Sequence, residues 1–389
     1  MYGGRKMIKS FTAFTSEIDD VELAVQEIVD KLDPENNCLT STVAIITCYH
    51  EFATSGVIAE LYNKMGFPII GITSTATSSS GGCGQLGLSV MMITSDDVVF
   101  TAACSSSLKD GLREPFEQMY KNALVGHVES PKLIIGNAPL MLNYAGDHYV
   151  EMMDIVSGGV PHFGAMPIDN STDYSDSYVI FNDKVDRDFY AIIVASGNIK
   201  PRFLYSSFSP EFILNQSAII TKSVGNLLME IDGQPAVKYM DKIGLHEGRN
   251  DSEILHSIPF IFENTDDGDQ ISRVLMSWSE DEYGICGGLM PEGTLFSLGR
   301  WDKDDVLNTT VMTIEDILKN EDISTLLLYS CLARSYALDF DVMIEAEKVV
   351  ETIVDRIPFI YSNVGGEICL TKNAGNNSFH NNTIIACVF

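Results

Sequence analysis

A short apolar strand, a helix and a second strand opened by proline recur three times along this chain. The first unit begins with "STVAIITCYHEF" and closes with "GFPIIGITSTA". The second runs from "PKLIIGNAPL" to "GVPHFGAMPID", and the third from "TLLLYSCLARS" to "RIPFIYSNVGGE". β-Rich runs of this length with helical stretches between them predict βαβ units. Pro68, Pro161 and Pro358 fall where each second strand starts, a position at which a missing N–H is tolerated. The strands run out into small or polar residues, and sheets of this class bind ligands beyond the carboxyl ends of their strands. Three units can therefore build one pocket from distant stretches.

The segments between the units read as antiparallel. "LSVMMITSDDVVFTAACS" predicts a hairpin turning at Asp96-Asp97, and "SYVIFNDKVDRDFYAIIVAS" another turning near Asn182-Asp183. "SPEFILNQSAIITKSVGNLLMEIDG" reads as a helical stretch closing the first half, and "QPAVKYMDKIGL" as a second, short helix. The expected fold class is α/β (α+β): mixed β-sheets flanked by helices, built from repeated β-α-β-β-hairpin units in two domains. With 389 residues, two or three domains of roughly 100–200 residues are expected. The boundary falls near 220–235, giving domains 1–225 and 226–389.

Charge narrows the partners. The formal net charge is −29, which disfavours non-specific association with nucleic acid or anionic membrane surfaces. The most acidic stretch, Glu263 to Glu282, has Arg273 as its sole basic residue. It reads as an exposed loop and hairpin, because it lacks the spaced ligands of a calcium loop. The eight cysteines are scattered and never form CxxC, so neither a zinc site nor a redox pair is suggested. The Gly-rich "SSSGGCGQLG" does not spell a phosphate-binding loop and leads into a strand instead of a helix. None of His148, His162, His246 and His256 pairs at i, i+4 with another histidine. No apolar h-region follows the basic start, and no run reaches the ~18 apolar residues of a membrane helix. A cytoplasmic protein with reduced thiols is expected, with no cofactor, no nucleic-acid partner and no membrane insertion.

Several of these segments, in this order, resemble the FIST domain family. "YSCLARSYAL", Glu345 and Glu347 in the next helix, "IPFIYSNVGGEI" and "HNNTIIACVF" are similar to the family's C-terminal half. Cys331, Arg334, Gly366, Glu367, Asn382 and Thr383 match its pattern position by position. "GITSTATSSSGG", "GQLGLSVMMI" and "GGVPHFGAMPIDN" resemble the N-terminal half, and "TKSVGNLLMEIDGQPAVKYM" the joining segment. The N-terminal half commonly carries Gly-Glu after its serine-rich turn; here no Glu stands there, which puts any first-domain site in question. The resemblance implies an intracellular signal-transduction protein that senses a small ligand, amino acids among the candidates. It also implies output through a separate signalling protein or self-association, since no output module is visible.

The candidate ligand-binding residues are Ser330, Cys331, Arg334, Asn363, Gly365, Gly366, Glu367, Asn382 and Thr383. Arg334 offers a planar fork suited to a carboxylate, and Glu367 is its obvious partner within the third unit. Either the two satisfy each other, or they hold the carboxylate and ammonium of a zwitterion. Cys331 is either a nucleophile sharpened by the nearby arginine, with His380 the nearest histidine in sequence, or a buried inert thiol. The rival functions are a thiol-dependent enzyme on amino-acid-like substrates and a haem-based gas sensor. No catalytic or metal-binding residue is assigned.

Overall fold

The computed structural model describes residues 8–171, 173–245, 255–263, 269–319 and 322–389. The first repeat comprises β1 (Ile8–Thr15), α1 (Val21–Leu32), β2 (Ser41–Cys48), α2 (Val57–Met65) and β3 (Ile69–Thr73). A hairpin, β4 (Thr77–Ser79) and β5 (Gly82–Gly84), and a closing strand, β6 (Leu88–Ser95), complete it. The second has the same order: β7 (Val98–Cys104), α3 (Arg113–Ala123), β8 (Pro131–Asn137), α4 (Gly146–Ser157), β9 (His162–Met166), the hairpin β10 (Val179–Phe181) and β11 (Lys184–Asp186), then β12 (Ala191–Gly197).

The third repeat opens with β13 (Arg202–Ser206) and is then interrupted. The insert carries β14 (Ile213–Val224), β15 (Leu227–Ile231), β16 (Gln234–Pro235), α5 (Ala236–Met240), β17 (Pro259–Glu263), β18 (Gln270–Trp278), β19 (Gly284–Cys286) and β20 (Leu295–Gly299). The repeat resumes with α6 (Lys303–Leu318), β21 (Leu326–Cys331), α7 (Val342–Ile353), β22 (Phe359–Val364), the hairpin β23 (Gly366–Leu370) and β24 (Asn377–His380), and β25 (Ile384–Val388).

The three expected βαβ units are present: β2/β3, β8/β9 and β21/β22 are parallel pairs. Each proline before the second strand donates nothing but accepts the first ladder bond. Ala44 N–H donates to the Pro68 carbonyl at 2.9 Å, Ile134 to Pro161 at 2.8 Å and Leu326 to Pro358 at 3.1 Å.

The repeats exchange parts in a cycle. The sheets run β1-β6-β2-β3-β10-β11, β7-β12-β8-β9-β23-β24 and β13-β25-β21-β22-β4-β5. Each hairpin leaves its own repeat and extends the sheet of another, beside that sheet's second strand. Strands from both sides of residue 225 therefore share sheets: β4 pairs with β22, β9 with β23 and β13 with β25. The inner faces of the three sheets meet in one core that includes Ile45, Ile135, Phe163, Leu327, Tyr329 and Ile385. Helices cover the outer faces. α1 buries Ala24, Val25, Ile28 and Leu32, a spacing that makes one stripe, and Asp20 caps it by accepting from the Leu23 N–H.

Three sequence expectations are corrected. β6 and β7 do not pair as a hairpin. Both edges of β6 are taken by β1 and β2, so the chain crosses at Asp96-Asp97 into the next sheet, where β7 pairs with β12. The turn at Asn182-Asp183 does join an antiparallel pair, β10 and β11. The stretch read as a long helix is instead β14 and β15, turning at Gly225 with φ +61°. Its β-branched run Ile219-Ile220-Thr221 favours strand, and Ala218 and Ile220 are buried with period two. "QPAVKYMDKIGL" does contain helix, as α5 and a single wider turn at Asp241–Leu245. Among the described residues, the insert is an antiparallel sheet, β14-β20-β17-β18-β19-β15-β16. β14 also pairs with β15, closing a barrel around Ile220, Phe260, Leu275 and Phe296. β17 and β18 form a hairpin in the acidic segment, but the segment is not exposed as expected: Asp269, Ser272, Arg273 and Leu275 are buried; residues 264–268 and His246 lie outside the described residues.

Candidate functional site

A cleft of about 280 Å³ opens at the carboxyl ends of the repeat strands. Its walls come from all three repeats: Tyr49 after β2, Thr75 after β3, Asp169 and Tyr174 after β9, and Ser335 and Tyr336 after β21. The barrel adds His256. A smaller pocket of about 30 Å³ shares Tyr174, His256, Leu332 and Tyr336 with the cleft and reaches inward to Cys331 and Gly365.

His256 joins three parts of the molecule. Its Nε2 lies 3.0 Å from the Met276 carbonyl, which can only accept, so Nε2 carries the proton. Nδ1 is within hydrogen-bonding distance of the hydroxyls of Tyr174 at 3.0 Å and Tyr336 at 3.1 Å. The three residues lie on elements separated by 82 and 80 positions. Sequence spacing carries no signal for such a cluster, although Tyr336 sits inside "YSCLARSYAL". Asp169 organises the wall beneath them, accepting from Ser171 N–H, Asp176 N–H at 3.0 Å and Ser177 Oγ at 2.7 Å.

Arg334 does not meet Glu367, correcting the sequence expectation. Its fully buried guanidinium pairs with Glu345, Nε at 3.0 Å and Nη2 at 2.9 Å from Oε1. Nη2 also donates to the Val306 carbonyl and to Thr309 and Thr310 Oγ1. Ser330 donates to the other Glu345 oxygen at 2.7 Å. The 3₁₀ turn Leu332–Leu338 aims the arginine at the helical layer of α6 and α7, while Glu367 stands beneath Cys331 on β23.

Glu367 accepts from Thr383 Oγ1 at 2.7 Å and from the Cys331 thiol, and its Oε1 has no protein partner. Burial pushes this carboxyl up to about 8, outweighing the hydrogen bonds from Thr383 and Cys331 and the charge of Arg334. Burial, reinforced by Glu367, pushes the Cys331 thiol well above its ordinary range. A buried protonated thiol beside a carboxyl is the reverse of an activated cysteine. His380 Nε2 bonds the Cys369 carbonyl at 3.2 Å, and burial lowers its ring to about 4.

The other candidates brace the site. Asn363 Nδ2 donates to Tyr361 Oη at 3.1 Å, and its carbonyl accepts from Ser74 Oγ at 2.9 Å. A Cβ on Gly365 would lie 2.8 Å from the Pro167 carbonyl oxygen, and one on Gly366 would lie 2.5 Å from the Phe379 ring. Asn382, at φ +61°, donates to Ser272 Oγ at 2.6 Å and so ties the β24–β25 turn to the barrel. Of the nine candidates, Cys331 and Gly365 line the inner pocket.

The register identifies what replaces the missing Glu. Ile72, Ala165 and Ser362 each lie four residues past the proline of their repeat, and they pair with Val179, Glu367 and Thr77. A carboxyl thus occupies one of three equivalent places. At the position contributed by the first repeat, Thr77 Oγ1 shares a hydrogen bond with Thr47 and donates to the Tyr361 carbonyl.

The FIST N domain matches residues 42–234, about half of the chain. The chain belongs to the FIST family. FIST domains are small-ligand sensory domains, in keeping with a cleft built from all three repeats. No curated protein matches the chain. Among solved structures it is similar to cyanuric acid hydrolase from A. caulinodans at 10% identity, covering 51% of this FIST chain and 72% of that one, with a TM-score of 0.27. Among the described residues, no helix is long and apolar enough to cross a membrane.

Proposed function

We propose that this FIST protein is an intracellular, cytoplasmic sensor whose small polar ligand occupies the cleft bounded by Tyr174, His256 and Tyr336. The observation that carries the reading is the His256 bridge. A ligand displacing or joining the tyrosine hydroxyls alters the contact between the inserted barrel and the three-sheet body. Binding is thereby coupled to the barrel's seating, and a separate signalling protein or a second copy of the chain reads that state. The cleft's volume suits a small metabolite, lying near the lower end of the ~300–1,000 Å³ range of ligand sites.

An amino acid remains within the class, but not through an Arg334–Glu367 clamp, because Arg334 is committed to Glu345. The thiol-enzyme alternative draws support from Cys331 lining the inner pocket and loses it through the thiol's raised pKa. The haem alternative has less support, since both ring nitrogens of His256 are engaged by protein groups.

A thermal-shift screen of amino acids, amines, carboxylates and neutral metabolites tests the reading. A binder of the native state raises its stability by mass action. The expected hit loses its effect in Tyr336→Leu while the unliganded variant keeps the parent's circular dichroism. Hits that bind Tyr336→Leu and His256→Ala as tightly as the parent would move the site elsewhere.

A further inference from the structure

We infer that the cleft selects a small organic ammonium ion, an inference that rests on the cleft being the ligand site. Four aromatic rings line it: Tyr49, Tyr174, Tyr336 and Phe340. Tyr336 meets Phe340 edge-on at 5.2 Å, and Tyr174 stacks near His256 at 5.9 Å. The faces of such rings carry negative potential and attract cations within about 6 Å.

The formal charge among the described lining residues is negative, and the Arg187 guanidinium, which donates to the Tyr174 carbonyl at 3.3 Å, is not part of that lining. Asp169 is the carboxylate in the wall, and no Lys or Arg occurs among the described lining residues. Its position is fixed by the hydrogen bonds from Ser171, Asp176 and Ser177. His256 is tied to the Met276 carbonyl through Nε2. Arg334, on the same turn as Tyr336, is sequestered by Glu345. The chain as a whole carries −29, so its field draws cations inward and repels anions. A carboxylate ligand would surrender its water and meet no opposite charge, whereas an ammonium would meet ring faces and Asp169.

Matched probes test the sign of the charge. Choline, its neutral isostere 3,3-dimethylbutan-1-ol and its carboxylated relative betaine form one series; phenethylamine and 3-phenylpropionate form another. By calorimetry on the full chain, at least one ammonium probe should bind about tenfold or more tighter than its counterparts. Tyr336→Phe should retain most of that preference, because the ring face remains. Tyr336→Leu, and independently Tyr49→Leu at the half-buried rim, should erase it. A neutral or anionic probe that binds as well as its ammonium partner overturns the inference, as does the failure of every ammonium probe to bind. If such a neutral or anionic probe is lost in Tyr336→Leu, the charge preference fails and the cleft assignment stands. If all binding is unchanged in both leucine variants, both fail.

Discussion

Glu367→Gln isolates the carboxyl beneath Cys331. In the native protein this group ionises at about 8 because it is buried; in an unfolded chain it ionises near ~4.3. Between those values the native state holds a proton that the unfolded state has lost. Stability therefore falls as pH rises through this window, by about 1.4 kcal/mol per pH unit, and the loss is complete above the native value. Glutamine keeps the shape and the oxygen that accepts from Thr383 and Cys331, but has no proton to lose. Relative to the parent, Glu367→Gln should gain about 2.7 kcal/mol between pH 5.5 and 7.5. Urea unfolding of both proteins at pH 5.5, 6.5 and 7.5, followed by far-UV circular dichroism, measures the gap, and groups common to the two cancel in the difference. A gap that stays constant with pH would refute the reasoning. A gap that narrows as pH rises would mean the carboxylate is stabilised by a positive partner in the fold.

On the acid side the sign reverses. Burial lowers His162 to about 3 and His380 to about 4, so the unfolded state binds protons first and stability falls as pH drops from about 6.5 toward 4; thermal midpoints across that range should decline, and His380→Gln should flatten part of the decline. Glu345→Gln should destabilise the protein by about 3–5 kcal/mol, because it strands the buried Arg334 charge, while ligand affinity in the cleft stays near the parent's once folding is corrected for; urea midpoints and calorimetry check the two halves of that statement. A chain ending at residue 225 should not fold alone, since β4 and β9 would lose β22 and β23 as sheet neighbours; dispersed amide resonances from that fragment would contradict the cyclic exchange.

Where local physics decides a structure, it was legible. Apolar runs such as Val43–Thr47 and Leu326–Ser330 are buried on both faces, so they read as continuous strands, and the prolines that open their partners mark the crossover ends. The motif around Cys331 stands at the carboxyl end of β21, where Cys331 and Gly365 line a small pocket. Partner choice was not legible. The Ile219-Ile220-Thr221 run is strand because its alternate residues find a barrel core to bury in, and the β6–β7 turn is no hairpin because both edges of β6 are occupied, two conditions that lie outside those stretches.

The same division holds for the site. The chain alone determined that three βαβ units would form and that strand-end loops would carry the polar residues, because hydrophobic periodicity and proline's missing donor act over a few residues. Tertiary structure decided which sheet each hairpin joins, that Arg334 faces Glu345 and not Glu367, and that His256 meets Tyr174 and Tyr336 across two strand ends. Those outcomes depend on which edges and buried charges are still unsatisfied once the core has packed, a condition set by every element together and written in no single stretch of the sequence.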